Sequence, residues 1–232
     1  MTLDFDEFTL CASTADLDVE PAARDAGADA IEFRFDLAVD PLAALDAYDG
    51  DLPILATNRV DWEGGDAADD AARLDALETA VEHDAVGAVD VELNALLDGD
   101  TAADHDAARV VDAARGNHAS VVVSYHDFDR TPFRQDMRGF LGNALEHGDV
   151  GKLAVTAEDH TDAVDLLTVT HEYDLEGKSV ATMAMGEAGR HTRAVAPVYG
   201  SKIGYAPVDP ADATAAGQYD VATLRRLVDD LR

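Results

Sequence analysis

The chain has 232 residues, with 48 acidic against 17 basic side chains and a formal net charge of −31. The absence of a basic stripe argues against nucleic acid as a partner, and no stretch has the length of a membrane span. A single cysteine, Cys11, rules out an intramolecular disulfide framework and fits a reducing compartment.

Along the chain, short β-branched or aromatic runs alternate with Ala/Asp/Leu-rich segments of helical period. The strand-like runs cover residues 8–13, 30–37, 53–60, 88–93, 120–128, 151–157, 179–185 and 202–207. Helix candidates lie at 67–82, 102–114, 133–146, 162–173 and 221–231. About eight β–α units without a linker predict one (β/α)8 barrel over residues 1–232. An open doubly wound sheet is the rival, but its first turn is usually glycine-rich, and Cys11-Ala12-Ser13-Thr14-Ala15 is not. The N-terminal segment has neither a basic nor an apolar targeting region, so the expected location is the cytoplasm. Acidity spread over nearly every helix and turn reads as adaptation to high salt there.

Alternate strand residues share a face. The second strand places Glu32, Arg34 and Asp36 together, opposite Ile31, Phe33, Phe35 and Leu37. The fourth repeats the pattern with Asp90 and Glu92, the fifth with Ser124 and His126, the seventh with Met183 and Met185. Charged groups lining a barrel interior are costly unless they pair or bind something. Each has a structural reading: Glu32 with Arg34 as a buried ion pair, His126 as a core histidine, and the methionines as packing. Asp90 and Glu92 read best as a layer of a polar network.

The sixth strand carries Lys152 within Gly151-Lys152-Leu153-Ala154-Val155, in a chain that has only three lysines. Either this amine is desolvated by apolar neighbours and available as a nucleophile, or it snorkels from an edge strand. Amine, imidazole, carboxylate and guanidinium on different strands together favour a site.

Several motifs in order resemble type I 3-dehydroquinate dehydratase. They are Glu32-Phe33-Arg34-Phe35-Asp36, Arg59 with Glu63-Gly64-Gly65, Ser124-Tyr125-His126-Asp127-Phe128 and Gly151-Lys152. Met183-Ala184-Met185-Gly186, Arg193, Gly200-Ser201 and Gly217-Gln218 complete the set. The resemblance runs from about Ser13 to Gln218. It implies a homodimeric barrel that dehydrates 3-dehydroquinate without metal or organic cofactor. It further implies that Lys152 forms a Schiff base, His126 is the general acid/base, and Glu63 orients it. Glu32, Arg34 and Arg59 would hold ring hydroxyls, Arg193 and Gln218 the carboxylate end, and Ser13 a further contact. Thr214 stands where the family usually has serine, and keeps the hydroxyl. Two rivals are a class I aldolase, for which Gly200-Ser201-Lys202 is the phosphate-loop candidate, and a non-catalytic barrel that binds a polyol or acid.

Overall fold

The β-branched runs form eight parallel strands in a computed structural model of the chain, which describes residues 2–97, 102–213 and 215–232, with 102–106 given by backbone alone. They are β1 Thr9–Thr14, β2 Ala30–Arg34, β3 Ile54–Thr57, β4 Val86–Glu92, β5 Ser120–Asp127, β6 Val150–Thr156, β7 Val180–Met185 and β8 Ile203–Ala206. The hydrogen-bonded order is β7-β6-β5-β4-β3-β2-β1-β8. A parallel bridge between Val180 and Ser201, with the Lys202 N–H donating to the Val180 carbonyl at 2.8 Å, nearly closes the ring at the β7–β8 seam. This is a (β/α)8 barrel.

Helices α1 Glu20–Asp25, α2 Pro41–Asp46, α3 Asp70–Ala80, α4 Leu93–Leu97 and α5 Ala102–Gly116 follow the first four strands. After the fifth and sixth come α6 Arg134–His147 and α7 His160–Leu175, and after the seventh the short α8 Gly186–Gly189 and α9 Thr192–Val195. α10, Val221–Leu231, closes the chain. Part of the aspartate content starts these helices. Asp40, Asp69, Asp159 and Asp220 each accept a backbone N–H of the first turn, a cap contributing about 1 kcal/mol. In α10, Val221, Leu224 and Val228 recur at helical spacing and are buried against the barrel.

The outward strand residues, such as Leu10, Ile31, Phe33, Val89, Val91 and Val121, are fully buried beneath the helices. Burying each large side chain contributes roughly 1.5–3 kcal/mol. Inside, Cys11, Ala30, Leu55, Ala88, Val122 and Val150 form an apolar floor, sealed from below by Leu3 and Phe5 of the N-terminal segment. Above that floor the interior turns polar, toward the C-terminal strand ends. No helix among the described residues is long and apolar enough to cross a membrane.

The second strand is shorter than its sequence pattern. It ends at Arg34, and Phe35–Leu37 turns into a 3-10 helix that still buries Phe35. The third likewise ends at Thr57, before Asn58 and Arg59.

Candidate active site

The inward face is built register by register. Glu32 lies beside Ser13, Thr57 beside Asp90, Glu92 beside Ser124, and Ser124 beside Lys152. Above the apolar floor these side chains surround a pocket at the C-terminal end. Ser13, Glu32, Arg34, Arg59, Glu63, His126, Lys152, Arg193 and Gln218 all line it. Thr214 lies outside the described residues.

Lys152 is 4 % exposed, although its strand neighbours Leu153 and Val155 face the helices. Its stem carries the amine into the polar interior, where Nζ donates to Asp90 Oδ2 at 2.8 Å and lies 3.9 Å from Glu32 Oε1. The ring of Tyr205 sits 4.2 Å beneath it, a cation–π contact. The apolar flanks seen in the sequence thus belong to the opposite face, and the nearest partners of the amine are carboxylates. The edge-strand reading fails, because β6 lies between β5 and β7.

Asp90 is the hub. Its other oxygen accepts from Arg59 Nη2 at 2.7 Å and from Ser124 Oγ at 2.6 Å. Burial pushes its carboxyl upward, but the Arg59 and Lys152 cations outweigh that and hold it well below the ordinary carboxylate range. Asp90 therefore stays ionised and does not take a proton from the amine. Arg59 also donates to Glu92 Oε1 at 2.6 Å and to Ser124 at 2.8 Å. The polar-network reading of Asp90 and Glu92 is right, and incomplete for Asp90, which touches the lysine.

The Glu63-Gly64-Gly65 turn brings its carboxylate back over the barrel mouth. Gly64 has φ +76°, and a Cβ there would strike the Phe128 ring; a Cβ on Gly65 would collide with the Arg59 carbonyl. Only glycines allow this return, which ends with Glu63 Oε2 at 2.7 Å from His126 Nδ1. Nε2 is left for the pocket. Burial pushes the Glu63 carboxyl up to about 8, and burial with the Arg59 and Lys152 cations pushes His126 well below its usual value. Both directions describe one proton held within the Nδ1–Oε2 contact at neutral pH, titrated by the pair as a unit.

The alternative reading of Glu32 and Arg34 as a buried ion pair does not hold. Arg34 is held by Asp36 through Nε at 2.8 Å and Nη2 at 2.6 Å, because the 3-10 turn after β2 swings Asp36 alongside it. Glu32 instead accepts from Ser13 Oγ and from Thr57 Oγ1, the latter at 3.3 Å. Arg193, on α9, has only a 3.4 Å contact from Nη2 to the Ala216 carbonyl; its Nε is buried and unpaired among the described residues. Burial pulls this guanidinium down to about 10. Among the described residues no carboxylate pairs with this guanidinium. Beside it, Gln218 Oε1 accepts from the Ala215 N–H at 3.1 Å and orders the last loop. Met183, Met185 and Tyr205 complete the wall. The methionines were legible as an inward pair, whereas Tyr205 stood in an unremarkable strand end.

A family model described as type I 3-dehydroquinase matches residues 10–231. The 3-dehydroquinate dehydratase of Haloarcula marismortui is 64% identical over 230 residues, covering 99% of each chain. That of Halobacterium salinarum is 56% identical over 230 residues, covering 99% of this chain and 100% of the other. Among solved structures, 3-dehydroquinate dehydratase from Geobacillus kaustophilus aligns with a TM-score of 0.81 at 26% identity, covering 97% of this chain and 91% of that one. With its barrel, its ordered motifs and these relatives in agreement, the chain belongs to the type I 3-dehydroquinase family.

Proposed function

We propose that this barrel converts 3-dehydroquinate to 3-dehydroshikimate and water as a hydro-lyase of the shikimate pathway, through an imine on Lys152. The observation that carries the reading is the meeting in one pocket of Lys152, the His126–Glu63 pair and Arg193, which has no carboxylate partner among the described residues.

The substrate is a cyclic β-hydroxyketone with a carboxylate. The carboxylate docks on Arg193 and Gln218, with Thr214 nearby in sequence, and a guanidinium fork suits its planar geometry. Glu32, Arg34 and Ser13 face the ring hydroxyls. Arg59 joins them at the wall, although its guanidinium is largely engaged by Asp90, Glu92 and Ser124.

Attack by the amine needs a proton acceptor. Asp90 is held ionised by its cations, so the proton passes to the His126–Glu63 pair in the form that has first released its shared proton to solvent. The amine adds to the ketone, the carbinolamine loses water with a proton from His126, and the protonated imine results. That cation is an electron sink, so His126 can remove the proton from the adjacent carbon as an enamine forms. The enamine then expels the β-hydroxyl, which leaves as water with the proton that His126 returns. Water hydrolyses the imine, releases the enone product and restores Lys152. Asp90 accepts a hydrogen bond from Nζ and orients it.

The class I aldolase reading is weaker. Gly200 (φ +102°) ends a 3-10 turn and packs on Asp174, and the Ser201 hydroxyl accepts the Thr182 N–H at 3.0 Å, so this segment serves the β7–β8 seam. Homodimerisation and a high-salt cytoplasmic setting belong to the same proposal. The test is direct: purified protein mixed with 3-dehydroquinate should generate the ultraviolet absorption of the conjugated enone. Retro-aldol cleavage of sugar phosphates without dehydration would overturn the proposal, and so would ligand-induced stabilisation with no turnover.

A further inference from the structure

Arg73 lies on α3 and does not line the pocket, yet it is only 2 % exposed. An arginine on a barrel helix of so acidic a chain would be expected on the solvated face. Instead its Nη1 donates to Glu92 Oε2 at 2.6 Å, and its Nε to Asp70 Oδ1 at 2.8 Å. Asn58 fixes the helix backbone at this point, its Nδ2 donating to the Arg73 carbonyl at 3.1 Å. The other oxygen of Glu92 accepts from Arg59, Arg59 binds Asp90, and Asp90 binds Lys152. Charges thus alternate without a break from the helix layer to the reactive amine.

We propose that Arg73 is a positioning residue for the reaction, acting through Glu92 to hold the Arg59 guanidinium between Asp90 and the Glu63–His126 pair. The role rests on the reading of Lys152 and His126 given above. Glu92 is 1 % exposed, and each of its oxygens is taken by a different guanidinium. Without Arg73, Arg59 is the one cation left on Glu92, and it must also serve Asp90 at 2.7 Å and Glu63 at 4.0 Å. Three carboxylates then compete for one guanidinium, and the unneutralised charge on Glu92 draws it outward. Lysine is only a partial substitute, because its ammonium lacks the rigid planar fork whose separate nitrogens reach Glu92 and Asp70.

The experiment compares Arg73→Met and Arg73→Lys with the unaltered protein by melting temperature and by the pH profile of kcat/KM. Glu63 is faced by Arg59 from its own loop, Asp90 and Glu92 from β4, His126 from β5 and Lys152 from β6. Weakening the hold of Arg59 should raise the proton affinity of the Glu63–His126 pair. In Arg73→Met the acid limb should move up by about one pH unit, the size of one partly screened charge at this range. Turnover at neutral pH should fall accordingly, and Arg73→Lys should recover part of the shift. A lower melting temperature with an unshifted profile would make Arg73 a structural residue and overturn the proposal. If Arg73→Met does not fold, Arg73→Lys decides: an unaltered profile refutes the role and a shifted one supports it. Borohydride trapping on the unaltered protein separates the two readings. An adduct elsewhere than Lys152 removes the site assignment itself, whereas a Lys152 adduct beside an unshifted profile removes only the role of Arg73.

Discussion

Replacing Asp90 by asparagine should cost both stability and turnover. The carboxylate is 1 % exposed and takes three hydrogen bonds: Arg59 at 2.7 Å, Ser124 at 2.6 Å and Lys152 at 2.8 Å. An amide keeps one acceptor oxygen, so one side of the side chain becomes a donor. Whichever way it turns, a donor faces either the ammonium of Lys152 or the guanidinium of Arg59. Breaking a buried ion pair by neutralising one partner typically costs about 3–5 kcal/mol. For a chain of this size each kcal/mol lowers the melting temperature by about 2–4 °C, giving a drop of roughly 6–20 °C. Thermal melts followed by circular dichroism in concentrated salt provide the measurement, paired with imine formation at a temperature where both proteins are folded. The ammonium, left with Glu32 at 3.9 Å, loses its orientation and imine formation slows. An Asp90→Asn protein that melts within about 2 °C of the original and reacts at the same rate would refute the hub assignment.

Three further outcomes follow from the same geometry. His126→Ala should slow turnover by about 10²–10⁴-fold, and activity near that of the original would return His126 to core packing. Arg193→Met should raise KM by roughly 10–150-fold, the worth of a charge-assisted hydrogen bond, with a smaller effect on kcat; an unchanged KM would place the carboxylate elsewhere. The Glu63–His126 pair makes stability fall with rising pH. The unfolded chain carries a histidine near 6.5 and a glutamate near 4.3, so between those values both states hold one proton. From about 6.5 to the Glu63 value of about 8 the native pair holds one more. A raised native affinity stabilises below the unfolded value and is lost as pH rises through the native one, here amounting to about 2 kcal/mol. Urea midpoints should fall across that window in the original protein and stay level in Glu63→Gln; equal slopes would contradict the shared proton.

Much of the barrel was legible because parallel strands buried on both faces read as runs of β-branched residues, and alternation within them separates wall from interior. The polar side chains at every second position of β2, β4 and β5 marked an inward polar face, and Glu32, Arg34 and His126 of that set line the pocket. What stayed hidden has physical reasons. Alternation continues through Asp36, but the backbone leaves the strand at Phe35, so spacing alone could not show that Arg34 would take Asp36 and leave Glu32 to Ser13 and Thr57. The apolar neighbours of Lys152 in sequence misled about its surroundings, since a strand residue shares its environment with i±2 and with adjacent strands. Arg73 gave no signal, because on a helix in an acidic chain a buried arginine has the same local pattern as a solvated one. Its partner Glu92 lies 19 residues away in sequence.

The covalent role of Lys152 is tested most directly by borohydride reduction in the presence of 3-dehydroquinate, followed by peptide mass spectrometry. The expected result is one stable adduct on the peptide that contains Lys152, absent when substrate or borohydride is omitted. An adduct on Lys178 or Lys202, or full turnover by a Lys152→Met protein that forms none, would contradict it.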